Sequence, residues 1–156
     1  MKQNILTTTL VPVLMFFMFS QASYAQNKQG LISVKSQHSV SQTMDKFEQI
    51  VLSKDLKVFA KIDHAAGAQN IGQTLRPTQL IIFGNAQGGT PLMQCQQTFG
   101  IDLPLKALVW QDERDQVWLS YNDLDYLTAR HNSALNCGSA AKIKTLLQSM
   151  SRQATQ

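Results

Sequence analysis

Charge is scarce in this sequence. Asp, Glu, Lys and Arg together make up 15% of its 156 residues, where an average globular chain carries about a quarter. Glycine and proline are sparse, at eight and four, which excludes collagen-like and linker-dominated chains. Two cysteines are too few for a disulfide-dense mini-scaffold. No run of like charge exists. Lys54, Lys57 and Lys61 form the densest basic group, and Asp55 and Asp63 interrupt it. Nucleic-acid binding needs a clustered basic face, so that class is set aside. The longest apolar run, Leu10 to Phe19, is well short of the roughly 20 residues of a membrane span.

Apolar residues, at 44%, are as frequent as in an ordinary folded domain, which argues against disorder. Nineteen scattered glutamines take over part of the missing surface charge.

The first 25 residues have the order of an export signal. Lys2 supplies a positive charge, Leu10 to Phe19 (LVPVLMFFMF) an apolar core, and Ser23-Tyr24-Ala25 small residues at the two positions a signal peptidase reads. Cleavage is expected after Ala25, leaving 131 residues, 26 to 156, with 13 basic and 10 acidic side chains. The expected destination is a periplasm, with no membrane attachment after cleavage.

In the mature part, Leu31 to Lys35 (LISVK) alternates as a short strand. Ser39 to Gln42 has capping-box spacing, and Val40, Met44, Phe47 and Val51 follow at helical intervals. Leu56 to Asp63 (LKVFAKID) alternates as a half-buried strand, and His64 to Ile71 is a short helix or loop. Thr78 to Phe83 (TQLIIF) is apolar without alternation, as in a central strand. Gly84 to Gly89 (GNAQGG) is expected as a glycine-rich turn, with Thr90 as helix cap and Pro91 at the first helical position. Leu92 to Phe99 is then a short helix. Leu105 to Trp110 and Val117 to Tyr121 read as strands joined by a polar hairpin loop. A helical turn follows from Asp123 through Arg130. A last helix starts near Ser139, with Ala140, Ile143, Leu146, Leu147 and Met150 on one stripe. The series predicts a single α+β domain, a sheet of about five strands packed by two to four helices.

Three stretches, LRPTQLIIFGNAQGGTPLMQ, IDLPLKALVWQDERDQVWLSYND and YLTARH, with KIDHAAGAQNIGQ upstream, resemble the DUF302 family of uncharacterised small α+β domains, over about residues 30 to 132. The resemblance implies a compact α+β fold and a homodimer. It implies no activity, cofactor or catalytic residue. Many relatives read Gly-Asn-Pro where this chain has Gly84-Asn85-Ala86, and Cys95 and Cys137 stand outside the family pattern.

Candidate chemistry is limited. A strand, then Gly84, Asn85, Gly88 and Gly89, then a helix opening at Thr90, is either a plain structural turn or a cradle for an anion or small ligand. It is not a phosphate-binding P-loop, because Thr90-Pro91 stand where Lys and Ser/Thr belong. His64 leaves an apolar strand face, as an acid/base or ligand or as a satisfied histidine. Tyr121 and Arg130 are the assisting groups of the enzymatic version. His131 suits a helix C-terminus, and His38 is expected in solvent. Cys95 and Cys137 are first read as a disulfide in an oxidising compartment. Free thiols or soft-metal ligands are the alternatives, and no spacing supports a metal site. Asp112, Glu113 and Asp115 sit on a hairpin tip, too solvated to act as a hydrolytic pair. Trp110, Trp118 and Tyr121 are either a stacking surface or cross-strand packing. The leading expectation is an exported, non-catalytic protein without a cofactor, binding a small ligand, anion or partner through the glycine turn and His64. The runners-up are a small enzyme using His64 and a structural homodimer.

Overall fold

The computed structural model describes residues 24–26, 30–133 and 137–156. The expected leader lies outside the described residues except for its last two positions. Twelve elements follow in order. The strands are β1 (Tyr24–Gln26), β2 (Leu31–Lys35), β3 (Lys57–Asp63), β4 (Thr78–Gly84), β5 (Leu105–Gln111) and β6 (Val117–Asn122). The helices are α1 (Val40–Ser53), α2 (His64–Gln69), α3 (Ala86–Cys95), α4 (Leu124–Arg130) and α5 (Ala140–Thr155), with a 3₁₀ turn over Gln97–Ile101. The sheet order is β1-β2-β6-β5-β4-β3, and every pairing is antiparallel. The five strands expected are β2 to β6, and β1 adds three residues beside β2. The fold is α+β.

One face of the sheet carries the core. Val34, Ile81, Phe83, Val109 and Leu119 are wholly buried there, against Met44, Phe47 and Val51 of α1 and Leu147, Met150 and Ala154 of α5. Phe47 meets Phe83 edge to face, with ring centroids 5.3 Å apart. Burying each such side chain contributes about 1.5–3 kcal/mol. Strand alternation puts Leu80, Ile82, Leu108, Trp110 and Trp118 on the opposite face, where they are half-buried. Trp110 and Trp118 are direct cross-strand partners. Tyr121 does not join them. Its position in β6 shares the parity of Leu119, and it is buried in the core.

The helix ends follow their caps. Ser39 and Gln42 form the expected capping box of α1. Among the described residues there are five α-helices, two of them short ones that aspartates start. Asp63 accepts the Ala66 amide at 2.9 Å to start α2, and Asp123 accepts the Asp125 amide at 3.1 Å to start α4.

The glycine segment is not a turn, and Thr90 is not a cap. The helix begins at Ala86, five residues before Pro91. Asn85 Oδ1 accepts the Gly88 amide at 2.8 Å, and the Gly89 amide donates to the Asn85 carbonyl at 3.1 Å. Asparagine is a stronger cap than threonine, so the first turn closes as soon as the chain leaves β4. Gly88, Gly89, Thr90 and Pro91 therefore lie within α3. The positive φ belongs to Gly84, at +152°.

Candidate functional site

Above this end of the sheet is a cavity of about 570 Å³. Three walls meet there. The first is the stretch from Lys54 at the end of α1 to Leu56 and Phe59 at the start of β3. The second runs from Gly84 through Thr90 to Met93, the strand exit and the first two turns of α3. The third is one face of α5, where Ser139, Lys142, Ile143 and Leu146 recur at helical spacing. Leu103, Pro104 and Leu105 close the floor as the chain enters β5. Side chains at the two glycines of α3 would point toward this space. A Cβ on Gly89 would stand 3.5 Å from Leu103 Cδ1, and one on Gly88 would stand 3.8 Å from Ile143 Cδ1.

Two links fasten the α3 wall to the α5 wall. The Ser139 hydroxyl donates to the Gly88 carbonyl at 2.5 Å. Cys95 at the end of α3 and Cys137 just before α5 form a disulfide pair, with Cα atoms 6.1 Å apart. Gly138 sits between these links at φ +57°, and a Cβ there would come within 2.7 Å of the Pro91 carbonyl oxygen.

Five of the ligand-binding candidates, Gly84, Asn85, Gly88, Gly89 and Thr90, line this cavity. His64 does not. It is the exposed first residue of α2, and it lines neither the cavity nor the shallower clefts. Its neighbour Asp63 is occupied with the Ala66 amide and the Gln79 side chain, which hold its carboxyl below the ordinary carboxylate range. Tyr121 is in the core, and Arg130 lies on Asp102 Oδ1 at 3.1 Å. The three acid/base candidates thus sit on α2, β6 and α4, and none reaches the cavity wall. Among the described residues, no group of three His, Cys, Asp or Glu could hold a metal ion.

One polar constellation is invisible to sequence spacing. His131 is buried, with Nε2 2.6 Å from Asp102 Oδ2 and Nδ1 2.8 Å from Thr98 Oγ1. The Phe99 ring lies on the imidazole, centroids 4.4 Å apart. A hydroxyl, an imidazole and a carboxylate in series are the parts of a proton relay, yet Thr98 lines neither the cavity nor the other clefts. What the cluster does is fasten the 3₁₀ turn to the end of α4. His38 also has partners rather than free solvent: its Nε2 lies 2.8 Å from the Gln156 carbonyl and 2.7 Å from Lys46 Nζ.

The family model described as "Domain of unknown function DUF302" matches residues 32–153. The chain belongs to the DUF302 family. A solved member, an uncharacterized conserved DUF302 protein from Bacillus stearothermophilus, superposes with a TM-score of 0.72 at 17% identity. The match covers 80% of this chain and 98% of that one, and it establishes the fold alone. Among curated relatives, the fluoride-specific ion channel FluC 1 of Brucella suis biovar 1 (strain 1330) is 46% identical over 113 residues. FluC 1 of Brucella abortus biovar 1 (strain 9-941) is equally similar. These alignments span 72% of this chain and 44% and 42% of the relatives, so the chain matches less than half the length of either channel protein. No helix among the described residues is long and apolar enough to cross a membrane.

Proposed function

We propose that this DUF302 domain is an exported, non-catalytic binding module, and that the cavity between α3, α5 and β3 is where it takes a small ligand. The observation that carries this reading is the coincidence of a concave, mostly apolar space of about 570 Å³ with the Gly84–Thr90 segment. Ligand clefts commonly enclose about 300–1,000 Å³, with apolar walls and a few polar groups. Against an enzyme, the candidate acid and base groups His64, Tyr121 and Arg130 line neither this cavity nor the two smaller clefts. A thermal-shift screen of anions and metabolites tests the reading. At least one compound should raise the melting temperature of the native protein, and Gly89→Val, which fills the cavity beside Leu103, should abolish the shift. A silent screen, or an unchanged shift in Gly89→Val, overturns it.

The likeness to the channel proteins favours a second reading of context. An ion channel needs segments that satisfy their backbone inside lipid, and the described helices lack the length and hydropathy for that. We infer that the shared 113 residues form an extramembrane domain of those relatives, and that this domain works beside an anion channel. Co-purification of a channel subunit with the tagged chain from native membranes supports this, and its absence after cross-linking counts against it.

A further inference from the structure

The chemistry of the cavity wall narrows the ligand class, on the reading that the cavity is a binding site. Nineteen residues form the wall, and the two charged ones, Lys54 and Lys142, are both cations. Neither forms an ion pair among the described residues, whereas Lys61 pairs with Glu48 and Lys144 with Asp125. Both are exposed, so each is hydrated and meets the cavity at its rim. The rest of the lining is dominated by apolar side chains. Two of them are unusually open for their type: Phe59 is 51% exposed and Met93 37%. Leu56, Leu103, Leu105 and Leu146 are only partly buried behind them. Water-facing apolar surface gathered in one concavity marks a place where something apolar is meant to lie.

Each simpler ligand leaves part of this wall unmatched. An inorganic anion would meet the lysines but leave Phe59, Met93 and the leucines in water. A neutral apolar molecule would cover those side chains and gain nothing from the two cations. A cation would be repelled at the rim. We propose that the cavity binds a monomeric amphiphile with one anionic headgroup, of the acyl-chain carboxylate class. The headgroup meets Lys54 and Lys142, and the tail lies on Phe59, Met93 and Leu146.

Isothermal titration of the native protein tests this with decanoate, decanol, decyltrimethylammonium, inorganic phosphate and fluoride, each below any micelle concentration. Decanoate should bind at least about tenfold more tightly than decanol, and decyltrimethylammonium more weakly still. The Lys54→Gln/Lys142→Gln double variant should lose that tenfold preference while its affinity for decanol is unchanged, which also shows that the cavity is intact. Equal affinity for decanoate and decanol overturns the headgroup assignment and leaves the binding module standing. So does phosphate or fluoride binding that Gly89→Val blocks while decanoate has no effect. Sedimentation with phosphatidylglycerol vesicles in place of decanoate binding overturns the monomeric ligand. No binding of any probe, together with a silent metabolite screen, removes the binding module itself.

Discussion

The Ser139 hydroxyl reaches the Gly88 carbonyl at 2.5 Å, joining the first turn of α5 to the first turn of α3 across the candidate cavity. The Cys95–Cys137 pair makes a second link between the same walls, at the other end of α3. The cavity is therefore held by short local ties between elements that are about 50 residues apart in sequence.

Cutting the ties should loosen the domain and its cavity together. A cross-link closing a 42-residue separation stabilises by roughly 4 kcal/mol on a chain-entropy basis. Cys95→Ser/Cys137→Ser should lower the urea unfolding free energy by about 2–4 kcal/mol and weaken the best ligand of the screen. Reductant should reproduce the effect on the native protein and do nothing to the variant. A native protein indifferent to reductant would show that the link contributes nothing.

Two glycines should respond in opposite directions. Gly67 lies inside α2 with nothing within 4 Å of a built Cβ, so Gly67→Ala should stabilise by about 0.5–1 kcal/mol. Gly138→Ala combines a positive φ with backbone of Pro91 at 2.7 Å and should destabilise by at least about 1–2 kcal/mol. Denaturant titration of both variants measures the pair. Equal signs would contradict the local geometry.

Asp112 gives an acid limb of known sign. The Trp118 indole N–H, then the Gln116 and Arg114 amides, hold its carboxyl below the ordinary carboxylate range. A group lowered in the folded state adds stability above its unfolded pKa of about 3.9 and loses it as pH falls through the folded value. The difference in urea midpoint between native protein and Asp112→Ala should be constant from pH 7 to about 5, then shrink below about pH 4. A difference that stays constant down to pH 2 would refute the assignment.

The His131 cluster should matter for stability and not for binding. His131→Ala removes the contacts to Asp102, Thr98 and Phe99 and should cost about 2–3 kcal/mol. Cavity occupancy at saturating ligand should be unchanged. If occupancy falls while the protein remains folded, the cluster is coupled to the site after all.

Much of the scaffold was legible because its signals are local. Ser39 and Gln42 mark the start of α1 three residues apart, and the stripe from Ala140 to Met150 marks the buried side of α5. The start of α3 is not legible from Pro91, which suits a first-turn position, because the cap is decided by Asn85 reaching Gly88. The cavity was half legible. The segment from Gly84 to Thr90 stood out by composition, but Lys54, Phe59 and Lys142 join it only through tertiary packing. The link from Asp102 to His131 crosses 29 residues with no periodicity to announce it. His64 continues the alternation of β3 only in the sequence, because the strand ends where Asp63 turns to cap α2.

Trp110 and Trp118 face each other on the side of the sheet away from α1 and α5, one indole anchored on Ser120 and the other on Asp112. Neither lines the cavity. Intrinsic fluorescence is therefore a poor witness to occupancy: emission would follow contacts made at the exposed sheet surface, and a guest among α3 and α5 would pass almost unseen by ultraviolet optics.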